Sequence, residues 1–177
     1  SSEFLELSSA TDAKEINLVD QERLKELGVI TGGQTGVEWT IQARGKMMYV
    51  RGERDSTYGR HKVMLGFAKN AGFFFWAVID AQNRFQELTN FRVVEINLNG
   101  EDIKIDISDE CERFQVGTDV HVFAKISNKQ ARLISESESF GVQIKFVQES
   151  PTFLGVGAME TEGGGEQLST FYHSFSE

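Results

Sequence analysis

Apolar side chains in this chain recur at every second position, and that spacing restricts its folding more than any other feature. Val37, Trp39, Ile41 and Ala43 alternate with Glu38, Thr40 and Gln42. The same rhythm returns in Val63/Leu65/Phe67, Val94/Ile96/Leu98, Ile103/Ile105/Ile107 and Val120/Val122/Ala124/Ile126. Successive side chains of a β-strand point to opposite faces, so each segment reads as a strand with one buried face. Phe73 to Ile79 is apolar throughout, which predicts a central strand covered on both faces.

Short turn signals separate these runs. Asn99-Gly100 stands between two alternating segments and predicts a type I′ hairpin, because Asn and Gly tolerate the positive φ that this turn requires. Arg44-Gly45, Asn70-Ala71-Gly72 and Ser127-Asn128-Lys129 mark three more turns. Lys46 to Arg51, Arg132 to Ser135 and Phe140 to Val147 bring the strand candidates to about nine, with Val142, Ile144 and Phe146 as the inner set of the last. No long helical pattern alternates with the strands, which argues against a parallel α/β sheet. The expected fold is mainly β: an antiparallel two-sheet β-sandwich, with a partly open β-barrel as the alternative.

One short N-terminal helix is expected at Asp20 to Leu27. Asp20 suits an N-cap, Glu22 complements the helix dipole, and Gly28 suits a left-handed stop. Val19 and Leu24 have the spacing of a hydrophobic staple. The chain then divides into an arm, helix and Gly-rich connector (1–36), a sandwich core (37–160), and a Gly-rich linker with a docked C-terminal segment (161–177). Together these form a single domain.

The 14 Phe and the single Pro fit pleated, half-buried surfaces, and 177 residues are enough for one core. No apolar run approaches the length of a membrane span. The net charge of −9 disfavours nucleic acid and anionic lipid as partners. Cys111 is the only cysteine, so no internal disulfide forms. The chain begins at Ser1 without Met, which leaves a periplasmic or secreted origin open, with the cytoplasm as the alternative.

Few motifs carry chemistry. Val29 to Val37 includes Gly32-Gly33-Gln34-Thr35-Gly36-Val37, which resembles the phosphate-cradling turn of nucleotide-binding Rossmann-like proteins related to molybdenum-cofactor carriers. That resemblance implies a helix after Gly36, whereas the residues that follow alternate as a strand does, so the string reads as a connector. Gly155-Val156-Gly157 opens like a dinucleotide fingerprint but has Glu160 where the third Gly belongs and no βαβ unit around it. His61, His121 and His173 are isolated from one another, and the acidic residues Glu101, Asp102, Asp106, Asp109, Glu110 and Glu112 lack the loop spacing of a Ca²⁺ site. No metal or other cofactor is expected. Glu110 and Glu112 flank Cys111, which raises the pKa of its thiol and disfavours a reactive thiolate. No nucleophile motif appears. The order of strands, Asn-Gly hairpin and Cys111 loop is similar in layout to bacterial periplasmic β-sandwich proteins of the invasion-associated type, whose partner cysteines are lacking here.

The charge is uneven. Residues 44 to 69 carry seven basic residues against Glu53 and Asp55, or +5, which leaves −14 on the remainder. Within that segment, the stretch from Arg51 to His61 reads as an inter-strand loop carrying Arg51, Arg54, Asp55, Tyr58, Arg60 and His61. Arg and Tyr are favoured at interface hot spots, and loops carry recognition. The expectation is a non-catalytic binding module that engages a protein with an acidic surface through these six residues. The alternatives are a carbohydrate-binding or carbohydrate-active β-sandwich, for which exposed Trp39, Trp76 or Tyr49 would line a groove, and a structural subunit of a larger assembly.

Overall fold

The computed structural model of the chain describes residues 30–31 and 36–176. Along the sequence the elements are β1 (Ile30–Thr31), β2 (Glu38–Arg44), β3 (Met47–Ser56), β4 (Gly59–Ala68), β5 (Gly72–Asp80), α1 (Phe85–Asn90), β6 (Val93–Leu98), β7 (Ile103–Asp106), β8 (Cys111–Val116), β9 (Asp119–Lys125), α2 (Asn128–Glu136), β10 (Ser139–Lys145), β11 (Leu154–Glu160) and α3 (Gly165–Phe175). The strands form two antiparallel, unclosed sheets. The larger has the order β1-β2-β3-β4-β5-β9-β8, with the two-residue β1 at its edge; the smaller has the order β11-β10-β6-β7. The architecture is the β-sandwich expected from the alternation, not a barrel. The predicted arm, the helix at Asp20 to Leu27 and the stretch Gly32–Thr35 lie outside the described residues.

Alternation supplies the core. Val50, Val63, Leu65, Phe73, Phe75 and Ala77 of the large sheet face Val94, Ile96, Phe140, Val142 and Ile144 of the small one, all buried in one cluster. The even-numbered side chains of β5, Phe74, Trp76 and Val78, join Met47, Tyr49, Met64 and Phe123 in a second buried cluster on the opposite face. The apolar run of β5 therefore serves both faces, as a central strand between β4 and β9.

Trp39 ties the sheets together. Its ring is buried and sits 5.8 Å from Phe140, and its Nε1 donates to the Glu160 carbonyl at 3.2 Å. Gly52 lies directly opposite it on β3, and Gly164 precedes α3. A Cβ built at either glycine would stand within 3 Å of the indole. The tryptophan thus rests against bare backbone on two sides.

Three local readings change. Arg132 to Ser135 belongs to α2, not to a strand. Ser127 Oγ accepts the Gln130 N–H at 3.1 Å, and the Gln130 side chain accepts the Ser127 N–H at 2.9 Å. This capping box starts a segment rich in helix formers, whose Ala131 and Ile134 reach the core at helical spacing. The Asn99-Gly100 hairpin closes from Leu98 to Ile103 over four residues, with Asn99 at φ 53° and Gly100 at φ 73°. Strand β10 stops at Lys145, so Phe146 leaves the inner set and is 66% exposed. Strand β8, which starts at Cys111, and the short helix α1 carry no clear period in the sequence. The chain after Gly163 forms α3, which buries Leu168 and Phe171 and stacks Phe175 on Phe67 at 4.7 Å.

Because the indole of Trp39 is rigid and enclosed, Gly52→Ala and Gly164→Ala are each expected to lower stability by about 1–3 kcal/mol. Urea unfolding of the two variants against the wild type measures this.

Candidate functional site at the β3–β4 hairpin

The six residues singled out in the sequence lie mainly on paired strands. β3 and β4 pair from Met47 opposite Ala68 to Ser56 opposite Gly59, so the expected loop is a hairpin whose turn holds only Thr57 and Tyr58. Charged side chains on both strands had obscured the pairing. Gly59 takes φ 107°, a conformation that glycine adopts without strain. Ser56 Oγ accepts the Tyr58 N–H at 3.1 Å and donates to the Gly59 carbonyl at 3.3 Å. The turn is therefore locally fixed, and Tyr58 stands 71% exposed at its tip.

Strand alternation sorts the charges. Arg51, Glu53 and Asp55 on β3 share one face with Arg60 and Lys62 on β4. Glu53 lies 3.7 Å from Arg51, 3.7 Å from Arg60 and 3.9 Å from Lys62. Arg60 donates to both Asp55 oxygens, at 2.7 and 3.2 Å. That pairing holds the Asp55 carboxyl below its ordinary pKa and raises that of Arg60. On this face most of the basic charge is neutralised within the hairpin.

Arg54 and His61 sit opposite each other on the other face. The His61 ring is buried, and its Nε2 is enclosed without a hydrogen-bond partner. Burial pushes its pKa below the ordinary value; the Asp80 carboxylate opposes this, and Arg54 adds to it. Arg54 is half-buried and makes no ion pair or hydrogen bond among the described residues. Its Nη2 reaches across to β11, where a Cβ built on Gly157 would stand 3.9 Å away.

Two further residues join this end of the sheet. Asp80 closes β5 and Asp119 opens β9, and the antiparallel register sets them directly opposite. Burial raises the Asp119 pKa, and the neighbouring Asp80 raises it further, against Lys62 and His61. Neither residue stands out in the sequence, because only the β5–β9 pairing brings them together. Gly157, which the sequence marks only as part of a dinucleotide-like string, comes to this end of the sheet through the packing of β11.

Other candidates resolve differently. His121 is buried beneath an aromatic cover: Trp76 Nε1 donates to its Nδ1 at 3.0 Å, and Phe114 stacks on it at 5.3 Å. Trp39, Trp76 and Tyr49 are all buried, so none of them offers a sugar-stacking surface. Among the described residues, no three His, Cys, Asp or Glu side chains converge to hold a metal. Asp106 is instead held by Ser108 at 2.6 Å, which lowers its pKa. Burial is the main cause that raises the Cys111 thiol pKa; Glu110 and Asp106 add to it. Gly36 leads into strand β2, so the helix that a phosphate-binding turn requires does not follow. Glu138, Glu160, Glu162 and Glu166 line an open acidic depression at the start of α3. Phe146, Val147 and Phe153 form an exposed apolar set on the β10–β11 connection. No described helix is long and apolar enough to cross a membrane.

Comparison of the chain with protein-family models, curated proteins and solved structures finds no match.

Two expectations follow from the buried titratable groups. Burial, with Arg44 and Lys62, lowers the His121 pKa from 6.5 to about 4. The unfolded chain therefore takes up a proton that the folded chain refuses, and stability falls as pH drops from about 6.5 towards 4, by a few kcal/mol in order of magnitude. His121→Asn keeps an acceptor for Trp76 and is expected to flatten that slope in urea unfolding across this range. Asp119→Asn removes a carboxylate that the fold disfavours in its charged form. It is expected to raise the melting temperature by about 1–3 °C at neutral pH, a gain that calorimetry should show disappearing in acid.

Proposed function

We propose that the chain is a non-catalytic binding module that engages a protein partner through the tip of the β3–β4 hairpin. The observation that carries this reading is the exposure of Tyr58 on a turn already fixed by its own hydrogen bonds. An aromatic ring presented from a rigid turn loses little conformational freedom on binding, and Tyr combines apolar area with a polar tip. Arg60 and Arg54 flank it from opposite faces of the hairpin. The mutual pairing of Arg51, Arg60 and Lys62 with Glu53 and Asp55 holds the rim in shape, so a partner meets a preorganised surface.

The reading is tested by capture from a lysate of the source organism with the wild type, Tyr58→Ala and Phe146→Ser. A protein retained by the wild type and by Phe146→Ser, but reduced roughly tenfold with Tyr58→Ala, is the expected result. Capture that survives Tyr58→Ala and fails with Phe146→Ser would move the interface to the exposed apolar set of the β10–β11 connection.

A further inference from the structure

We propose that Arg54, His61 and the glycine backbone of β11 form a receptor for a carboxylate side chain of an acidic partner segment. The proposal rests on the reading of the hairpin as a protein-binding surface and adds a site and a ligand chemistry to it.

Arg51, Arg60 and Lys62 all lie within 4 Å of Glu53, and Arg60 is also bonded to Asp55. Arg54 alone among these cations has no counter-ion among the described residues, although it is half-buried. A partly desolvated guanidinium is stabilised by an anion, and its planar fork matches a carboxylate through two parallel N–H bonds.

A second observation points to the same place. His61, paired with Arg54 across the two strands, is 8% exposed and has an enclosed Nε2 without a partner. With its Nε2 out of reach and its pKa lowered by burial, the ring takes no anion itself and gives the guanidinium no counter-charge, so the anion that Arg54 lacks comes from outside the hairpin. On the facing strand, Gly157 is only partly buried and puts no side chain over Nη2. The space beside the guanidinium therefore remains open.

The surroundings also select among anions. The charged groups that bear on His61 are Arg54 from β3, Asp80 from the end of β5 and Asp119 from the start of β9. Two carboxylates on the far side of the histidine oppose a doubly charged anion more strongly than a singly charged one. The site therefore prefers a carboxylate to a phosphate.

The test is an NMR titration of the full chain with three probes: a capped tetraglutamate peptide, a capped tetraglutamine peptide and inorganic phosphate. The tetraglutamate peptide is expected to shift the His61 ring and Gly157 amide signals, and to bind more tightly than either of the others. Arg54→Gln is expected to weaken it roughly tenfold, and Arg60→Gln less than twofold. Gly157→Val leaves every charge in place, fills the space beside Nη2 and is expected to abolish binding; a thermal melt confirms that each variant is folded. Silence at His61 and Gly157, equal weakening by the two arginine variants, or tighter binding of phosphate would each overturn the proposal. If Tyr58→Ala still reduces capture of a partner roughly tenfold while the peptide titration is silent, the hairpin reading stands and the carboxylate receptor alone falls.

Discussion

The contact on which the two sheets depend is that of Trp39 with bare backbone. Its ring lies between Gly52 on β3 and Gly164 at the start of α3, where any other residue would bring a Cβ, and its N–H reaches the end of β11. A buried tryptophan contributes a large apolar area, but its indole nitrogen must find an acceptor. Here one side chain meets both demands and spans the sandwich from β2 to β11. The glycines at 52 and 164 are parts of the tryptophan's seat, since close packing leaves no slack for an added methyl group. The register of β2 on β3 and the approach of α3 both follow from how this ring is held.

The charged hairpin shows why the net charge of a segment is a poor guide to which of its charges stay free. A segment of +5 looks like a basic patch in the sequence. Once folded, alternation places two carboxylates among three of its cations on one face and leaves Arg54 on the other. Exposed ion pairs of this kind contribute little to stability, but they fix side-chain directions. What the hairpin leaves without an ion pair, among the described residues, is its turn tip and the guanidinium of Arg54.

Much of this architecture was legible because strand period and turn residues act locally. The alternation around Val63, Val94 and Val120, and the doubly apolar β5, follow from side chains facing a core one residue in two. Segments with weaker local signals were less legible. The helix at Asn128–Glu136 is short, and its capping box resembles a turn when Ser127, Asn128 and Lys129 are read alone. Strand β8 lies at a sheet edge and has no fully buried residue, so no apolar stripe marks it. At the candidate site, the residues of the hairpin itself were visible as a cluster. Asp80, Asp119 and Gly157 were not, because their proximity is created by pairing between segments distant in sequence.

The strand order has a consequence for how the chain is made. Strands β2 to β5 form a meander of neighbouring hairpins that can assemble as soon as they are synthesised. The partner on the far edge of β5 is β9, and hydrogen-bonded residues such as Trp76 and His121 are 45 positions apart. Until that length has emerged, the most apolar strand of the molecule presents an unpaired edge of Phe, Trp, Val and Ile. Such an edge is a template for pairing with other chains. Nascent or truncated forms that end before β9 therefore carry the aggregation hazard of this protein, and the return of the chain from the small sheet to complete the large one is the step that removes it.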